Sequence, residues 1–239
     1  IEIAHNHFIN NGDAIDYESG GGICRANTFE KNRDDAVDLD GASESVIEDN
    51  VMLNNGDDGI EIRLHKYSGK LLNIVIRRNQ IIGSGEDGIQ VIDYPDKSDR
   101  VIRIERNVIA KTKMAALGCM ADGKTGENYE AADIPERIEF FNNTLVDNQY
   151  GITGGDSLLA FNNVIVGTEK IAFAMRPNTI QLQTAVNTFV DHTYRGLSYN
   201  MAKRRYHQRG ARVAKHRKES LRRSGDLSPY DKLIKKYAA

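Results

Sequence analysis

The chain has 239 residues, of which 40% are hydrophobic and none is Trp, with 32 basic and 34 acidic side chains and a formal net charge of −2. No stretch approaches the roughly 18 consecutive apolar residues of a membrane-spanning helix, so no membrane partner is expected, and the two cysteines, Cys24 and Cys119, exclude a disulfide framework. The near-neutral total conceals an asymmetry: residues 200–239 hold 13 Lys or Arg against 3 acids, leaving 19 basic against 31 acidic side chains in the remainder.

The chain opens at Ile1 inside a strand-like pattern, IEIAHNHF, with no Met and no basic-then-apolar leader. The expectation is a mature form or an excised piece of a longer protein. From there one pattern recurs: strand, Asn, one residue, a large apolar residue, a short polar stretch, a second short strand. HNHFINNGDAIDY is followed by ANTFEKNRDDAVDLD, DNVMLNNGDDGIEIR and RNQIIGSGEDGIQVI. RNVIAKTKMAALGCM, NNTLVDNQYGITG and NNVIVGTEKIAFAM come next, and a degraded copy, VNTFVDHTYRGLS, closes the series. The shared residues are Asn6, Asn27, Asn50, Asn79, Asn107, Asn143, Asn163 and Asn187.

Alternation of the I-x-I kind before each Asn has period two, as a half-buried strand requires. Three apolar columns follow. The first is Ile3, Cys24, Ile47, Ile76, Ile104 and Phe140. The second is Phe8, Phe29, Met52, Ile81, Ile109, Leu145, Ile165 and Phe189, and the third Ile15, Val37, Ile60, Ile89, Leu117 and Ile152. Three inward columns predict three strands per coil around one core, with coils stacked at about 4.8 Å. Cys24 and Cys119 fall on inward positions and read as buried free thiols. The Asn column reads as structural: in-register Asn side chains can bond to the coils above and below.

These N-x-[apolar]-x-x-N-x-x-D-G-I-x-[apolar] coils resemble the right-handed parallel β-helix repeat of the pectate-lyase-like superfamily. The resemblance implies an all-β, single-stranded right-handed parallel β-helix of about eight coils and three sheets over residues 1–198; the composition break sets off a basic, helical or partly disordered tail over 199–239. That fold carries polysaccharide lyases, hydrolases, epimerases and non-enzymatic surface proteins, so it does not fix an activity.

Alignment on the Asn column stacks Asp34-Asp35 over Asp57-Asp58, with Asp13 before and Glu86-Asp87 after. Asp16, Asp38 and Glu61 form a further column, expected to face outward because their neighbours Ile15, Val37 and Ile60 face inward. Asp57, Asp58 and Glu61 are expected to be exposed. Like charges on neighbouring strands repel, and three outcomes relieve them: a bound hard cation, interleaved basic side chains, or carboxylates splayed into water. The D-D-x-x-[DE] spacing of Asp34, Asp35, Asp38 and of Asp57, Asp58, Glu61 resembles the calcium-binding cluster of one family of β-helix pectate lyases. The resemblance implies Ca²⁺ as cofactor, these six residues as ligands and a lysine nearby as base. Glu61 departs from the pattern, standing where an Asp is expected.

β-Elimination of a uronate polymer needs a cation or Arg to neutralise the carboxylate and a base to take the proton α to it. RLHKY follows Glu61 and supplies Arg63, His65 and Lys66. Arg77, Arg103 and Lys97 are further candidates, and Tyr67 and Tyr94 either stack on sugars or pack down their loops. Arg63 beside Glu61 is equally readable as an exposed ion pair. Insertions at 64–73, 93–100 and 121–137 all follow the third strand of their coil and are expected on one side.

Residues 200–223 carry few strong apolar side chains. Ser228-Pro229 before YDKLIKKYAA reads as a short helix with Ser as cap. The tail is readable as a solvated segment, a cap over the last coil, a counter-charge lying on the acidic body, or a site for an anionic partner; nucleic acid enters only through it. The expected function is a secreted or cell-surface, carbohydrate-active or carbohydrate-binding β-helix, with calcium-dependent lyase chemistry on an acidic polysaccharide as its enzymatic form. The alternative is a non-catalytic surface module, a rigid spacer or adhesin.

Overall fold

A computed structural model describes residues 1–18, 20–40, 44–63, 73–93, 100–121, 129, 136–155, 157–173, 181–185 and 187–190. Among them are 23 short strands and no helix. The strands form two sheets of eight and one of seven, and neighbours within a sheet lie three strands apart in sequence. The chain therefore visits each sheet once per coil, and the pairings are parallel throughout, as in Cys24 opposite Ile47, Phe29 opposite Met52 and Val37 opposite Ile60. The first sheet runs from Glu2–Ala4 to Gln181–Ala185, the second from His7–Ile9 to Thr188–Val190, the third from Asp16–Tyr17 to Ile171–Phe173. This is the eight-coil, three-sheet solenoid that the repeat predicts.

The three apolar columns meet in one continuous core. Cys24, Ile47, Ile76, Ile104, Phe29, Met52, Ile81, Ile109, Val37, Ile60, Ile89 and Leu117 are all buried in it, while Ile3 and Phe8 at the open first coil are half-buried. Cys24 and Cys119 are buried free thiols, as expected, and burial pushes the Cys24 thiol up to about 12. The side chain of Phe189 lies outside the described residues.

The Asn column holds the corner between the first and second sheets. Each Asn Oδ1 accepts the backbone N–H and the Nδ2 of the Asn one coil earlier: Asn50 N at 3.0 Å and Nδ2 at 3.0 Å from Asn79, and so on from Asn6 to Asn187. Each Nδ2 also donates to the end of the preceding first-sheet strand, as Asn79 does to Ile47 O at 2.9 Å. The residue before each of the first seven of these Asn turns the corner with positive φ: His5, Ala26, Asp49, Arg78, Arg106, Asn142 and Asn162, at 54–60°. Left-handed backbone costs roughly 1–2 kcal/mol in a non-glycine residue, and the ladder bonds offset it. A second ladder follows the second sheet, with Asn11, Asn32 and Asn55 bonded in series and Thr112 bonded to Asn148. Here too a residue with positive φ comes first, and in two coils it is a glycine, Gly83 or Gly167.

The insertions fall between a third-sheet strand and the next first-sheet strand, as the sequence predicts. Residues 64–72, 94–99, nearly all of 122–135 and the tail 199–239 lie outside the described residues.

Candidate functional site

The turn from the second ladder into the third sheet carries two adjacent acids in successive coils, and they face opposite ways. Asp13, Asp35, Asp58 and Asp87 turn inward and form a carboxylate ladder. Asp13 Oδ1 accepts Asp35 N at 3.1 Å, Asp35 Oδ1 accepts Asp58 N at 2.7 Å, Asp58 Oδ1 accepts Asp87 N at 2.6 Å and Asp87 Oδ1 accepts Ala115 N at 2.6 Å. Asp34, Asp57 and Glu86 occupy the outer position, with Asp57 hydrogen-bonded to both neighbours. On the third sheet Asp16 pairs with Asp38, Asp38 with Glu61, Glu61 with Gln90 and Gln90 with Gly118.

The register is the expected one, but the exposure is not. Asp58 is 1% exposed, Asp35 5% and Glu61 7%, while Asp57 is half-buried. Asp35, Asp58 and Asp87 are buried while each supplies the acceptor that the next coil's backbone N–H requires; Asp13, in the same role at the open first coil, is exposed. Glu61 faces away from the core yet is covered, as are its outward neighbours Gln90, Ile92 and Met120.

Charge accumulates accordingly. Asp58 is raised well above the ordinary carboxylate range by burial and then by the charges of Asp87 and Asp35. Asp35 is raised by burial and by Glu61. Burial and Glu61 bring Asp38 to about 7, against a smaller lowering by Arg63. Burial and Glu86 bring Asp57 to about 6. Glu61 is raised by burial, with Arg63 pulling the other way. The Arg63 guanidinium pairs with the Glu61 carboxylate, so the ion pair expected here is present, but its Glu61 side is buried rather than exposed. Arg77 and Arg103, candidates from the sequence, are elsewhere. They pair with Glu48 and with Glu105 and Glu139 on the outer face of the first sheet. His65, Lys66, Tyr67, Tyr94 and Lys97 lie outside the described residues.

Of the six acids predicted as ligands, Asp35, Asp58 and Glu61 converge: one oxygen from each lies within 4.8 Å of the other two. A hard cation with oxygen ligands at about 2.3–2.6 Å can bridge atoms at that separation. Asp57 and Asp58 meet Glu86 in the same way, and Asp34 and Asp35 meet Asp13. Asp38 joins none of these groups. Its Oδ1 is buried with no hydrogen-bond partner among the described residues.

One contact had no signal in the sequence. Tyr129 donates its hydroxyl to Asp87 Oδ1 at 2.6 Å across 42 residues of chain. Asp87 is fully buried and its carboxylate lies over Gly118, where a Cβ would stand 1.6 Å from Oδ2. Tyr129 also meets the Tyr150 ring edge-on at 5.7 Å.

A solenoid of three parallel sheets with Asn and Asp ladders at its corners defines a parallel β-helix protein. The chain matches the family model described as the right handed beta helix region over residues 1–168, and it belongs to that family. No curated protein and no solved structure matches it.

Proposed function

We propose that this chain is an extracellular, carbohydrate-active β-helix that engages an acidic polysaccharide along the third sheet at coils 1–4, with Asp35, Asp58 and Glu61 holding a calcium ion. The observation behind this reading is the convergence of those three buried carboxylates, with Arg63 paired to one of them, Glu61. Three buried carboxylates cannot all ionise without a counter-charge. Calcium at this position would supply the positive charge that a uronate carboxylate needs near its acidic α-proton. Asp35 and Asp58 would each offer the ion a carboxylate whose Oδ1 accepts a backbone N–H. Glu61, paired with Arg63, would supply the third carboxylate. Arg63 then lies beside the substrate, and Lys66 or His65, three and two residues further on, is the base of a β-elimination.

A second reading, a non-catalytic spacer or adhesin, is favoured by the use of Asp13, Asp35, Asp58 and Asp87 as turn acceptors, which is a structural role. Two measurements separate the readings. Melting in millimolar calcium against EDTA is expected to show a rise of several degrees. Incubation with polygalacturonate, alginate or a similar uronate polymer is expected to produce ultraviolet absorbance from the new C=C bond. A calcium shift with no absorbance leaves a calcium-stabilised binding module, and neither signal leaves the spacer.

A further inference from the structure

The corner between the first and second sheets carries a column of side chains that the Asn ladder does not use. Its members are the left-handed residues that precede the ladder: His5, Ala26, Asp49, Arg78, Arg106, Asn142 and Asn162. All are exposed except Ala26, which is half-buried. Acidic, basic and neutral side chains all occur in it, so packing dictates none of them. Asn is favoured there on backbone grounds, because it tolerates positive φ better than most residues. That accounts for Asn142 and Asn162 alike.

Coil 6 adds something that coil 7 lacks. Asn142, Asn143 and Thr144 form the one N-x-[ST] triplet in the 239 residues, which is the acceptor pattern for an N-linked glycan. In coil 7 the same three positions hold Asn162, Asn163 and Val164. Each member of the triplet has its own place in the fold. Asn143 is fully buried and carries the ladder: its N–H reaches Asn163 Oδ1 at 2.9 Å and its Nδ2 reaches Ile104 O at 3.0 Å. Thr144 opens the strand Thr144–Val146 and is half-buried on its outer face. Asn142 is exposed and makes one side-chain hydrogen bond among the described residues, through its oxygen: Oδ1 accepts Asn162 Nδ2 at 2.7 Å. Its own Nδ2, the atom to which a glycan is joined, is not used in that bond. A sugar on Nδ2 therefore leaves the Asn162 contact and both ladder bonds of Asn143 in place.

We propose that Asn142 is an N-glycosylation site that takes an oligosaccharide from a lipid-linked pyrophosphate donor. The new bond joins Nδ2 to C1 of the first sugar, the bond from C1 to the pyrophosphate oxygen breaks, and Nδ2 gives up one proton. The proposal rests on the extracellular reading above, since a chain must enter a secretory membrane system to meet the transferase. In the folded chain the triplet is fixed, with Asn142 N on Phe161 O at 3.1 Å and Thr144 N on Asn107 O at 2.9 Å, so transfer comes before coil 6 closes. The glycan stands at the corner between the first and second sheets. The acidic ladders lie at the turn into the third sheet, so the candidate cation site stays open.

The test uses the full chain behind a cleavable secretory leader, translated in the presence of microsomes that hold the transferase. Resistance to added protease reports import, and a drop in apparent mass on endoglycosidase treatment reports the glycan. The imported chain is expected to carry one glycan, kept in Thr144→Ser and lost in Asn142→Gln and in Thr144→Val. Two results overturn the proposal: an imported chain with no glycan, or a glycan that survives Asn142→Gln. Neither touches the reading it rests on, because the calcium and uronate-polymer measurements are made without Asn142.

Discussion

Asp58 meets two demands that conflict. Its Oδ1 must accept Asp87 N at 2.6 Å, and its charge must be tolerated among Asp35, Asp87 and Asp57. An Asn at this position keeps the acceptor and removes the charge. Asp58→Asn is therefore expected to stabilise the chain in EDTA by about 1–2 kcal/mol, since a buried repulsion disappears, and to abolish the calcium-dependent rise in Tm. Loss of stability in EDTA would mean that the carboxylate charge is balanced without a cation. The pH dependence follows from the same groups. Asp38 moves from an ordinary 3.8 to about 7 and Asp57 to about 6. The folded chain holds these protons more tightly than the unfolded chain, so it binds more protons between about pH 4 and 7. Stability is then highest at the acid end of that window and falls as pH rises through it. Allowing for solvent screening of half-buried groups, the expected loss from pH 5 to pH 8 in EDTA is on the order of 2 kcal/mol, or about 5 °C in Tm. Saturating calcium at pH 8 is expected to reverse it, because the cation takes the deprotonated form.

At the scale of the element, the Asn ladder carries the corner. Asn107 accepts Asn79 N and Nδ2, both at 3.0 Å, and donates to Ile76 O at 3.0 Å and to Asn143 Oδ1 at 3.1 Å. Asn107→Ala leaves a buried N–H and a buried carbonyl unmatched and is expected to cost about 3–5 kcal/mol in urea unfolding. At the exposed first coil, Asn6→Ala is expected to cost about 1 kcal/mol or less. The Asn ladder was legible in the sequence because one residue type recurs at one offset in every coil. The second ladder was harder to read. Asn, Ser and Thr alternate along it, and Asn32, Ser84, Thr112 and Thr168 are all buried at this turn. The acids stand between these cases. Counting from the Asn column gave their register, as the pairing of Asp38 with Glu61 bears out. It did not give their burial. Which of two adjacent turn residues faces inward depends on backbone turned by the left-handed residue before it, and on the acceptor that the next coil needs. The approach of Tyr129 to Asp87 has no local pattern at all, because it is made by an insertion.

At the scale of the molecule, the coils share one core, so no coil has a hydrophobic interior of its own and stability is passed from neighbour to neighbour. Coils 1–4 add the acidic ladders, and at coils 5–7 these give way to Ala115, Gly118 and the Tyr129–Tyr150 contact. The Asn bonds join positions 21, 23, 29, 28, 36, 20 and 24 residues apart along the chain. Under tension applied at the two ends, the pairing bonds between coils would open as a zipper does, one coil at a time. Each opening frees a different length of tether, from about 7 nm to about 13 nm at about 3.6 Å per residue. The longest increment belongs to the coil between Asn107 and Asn143. The unequal insertions therefore give each coil its own step length, and a force–extension trace would read out the order in which the coils yield.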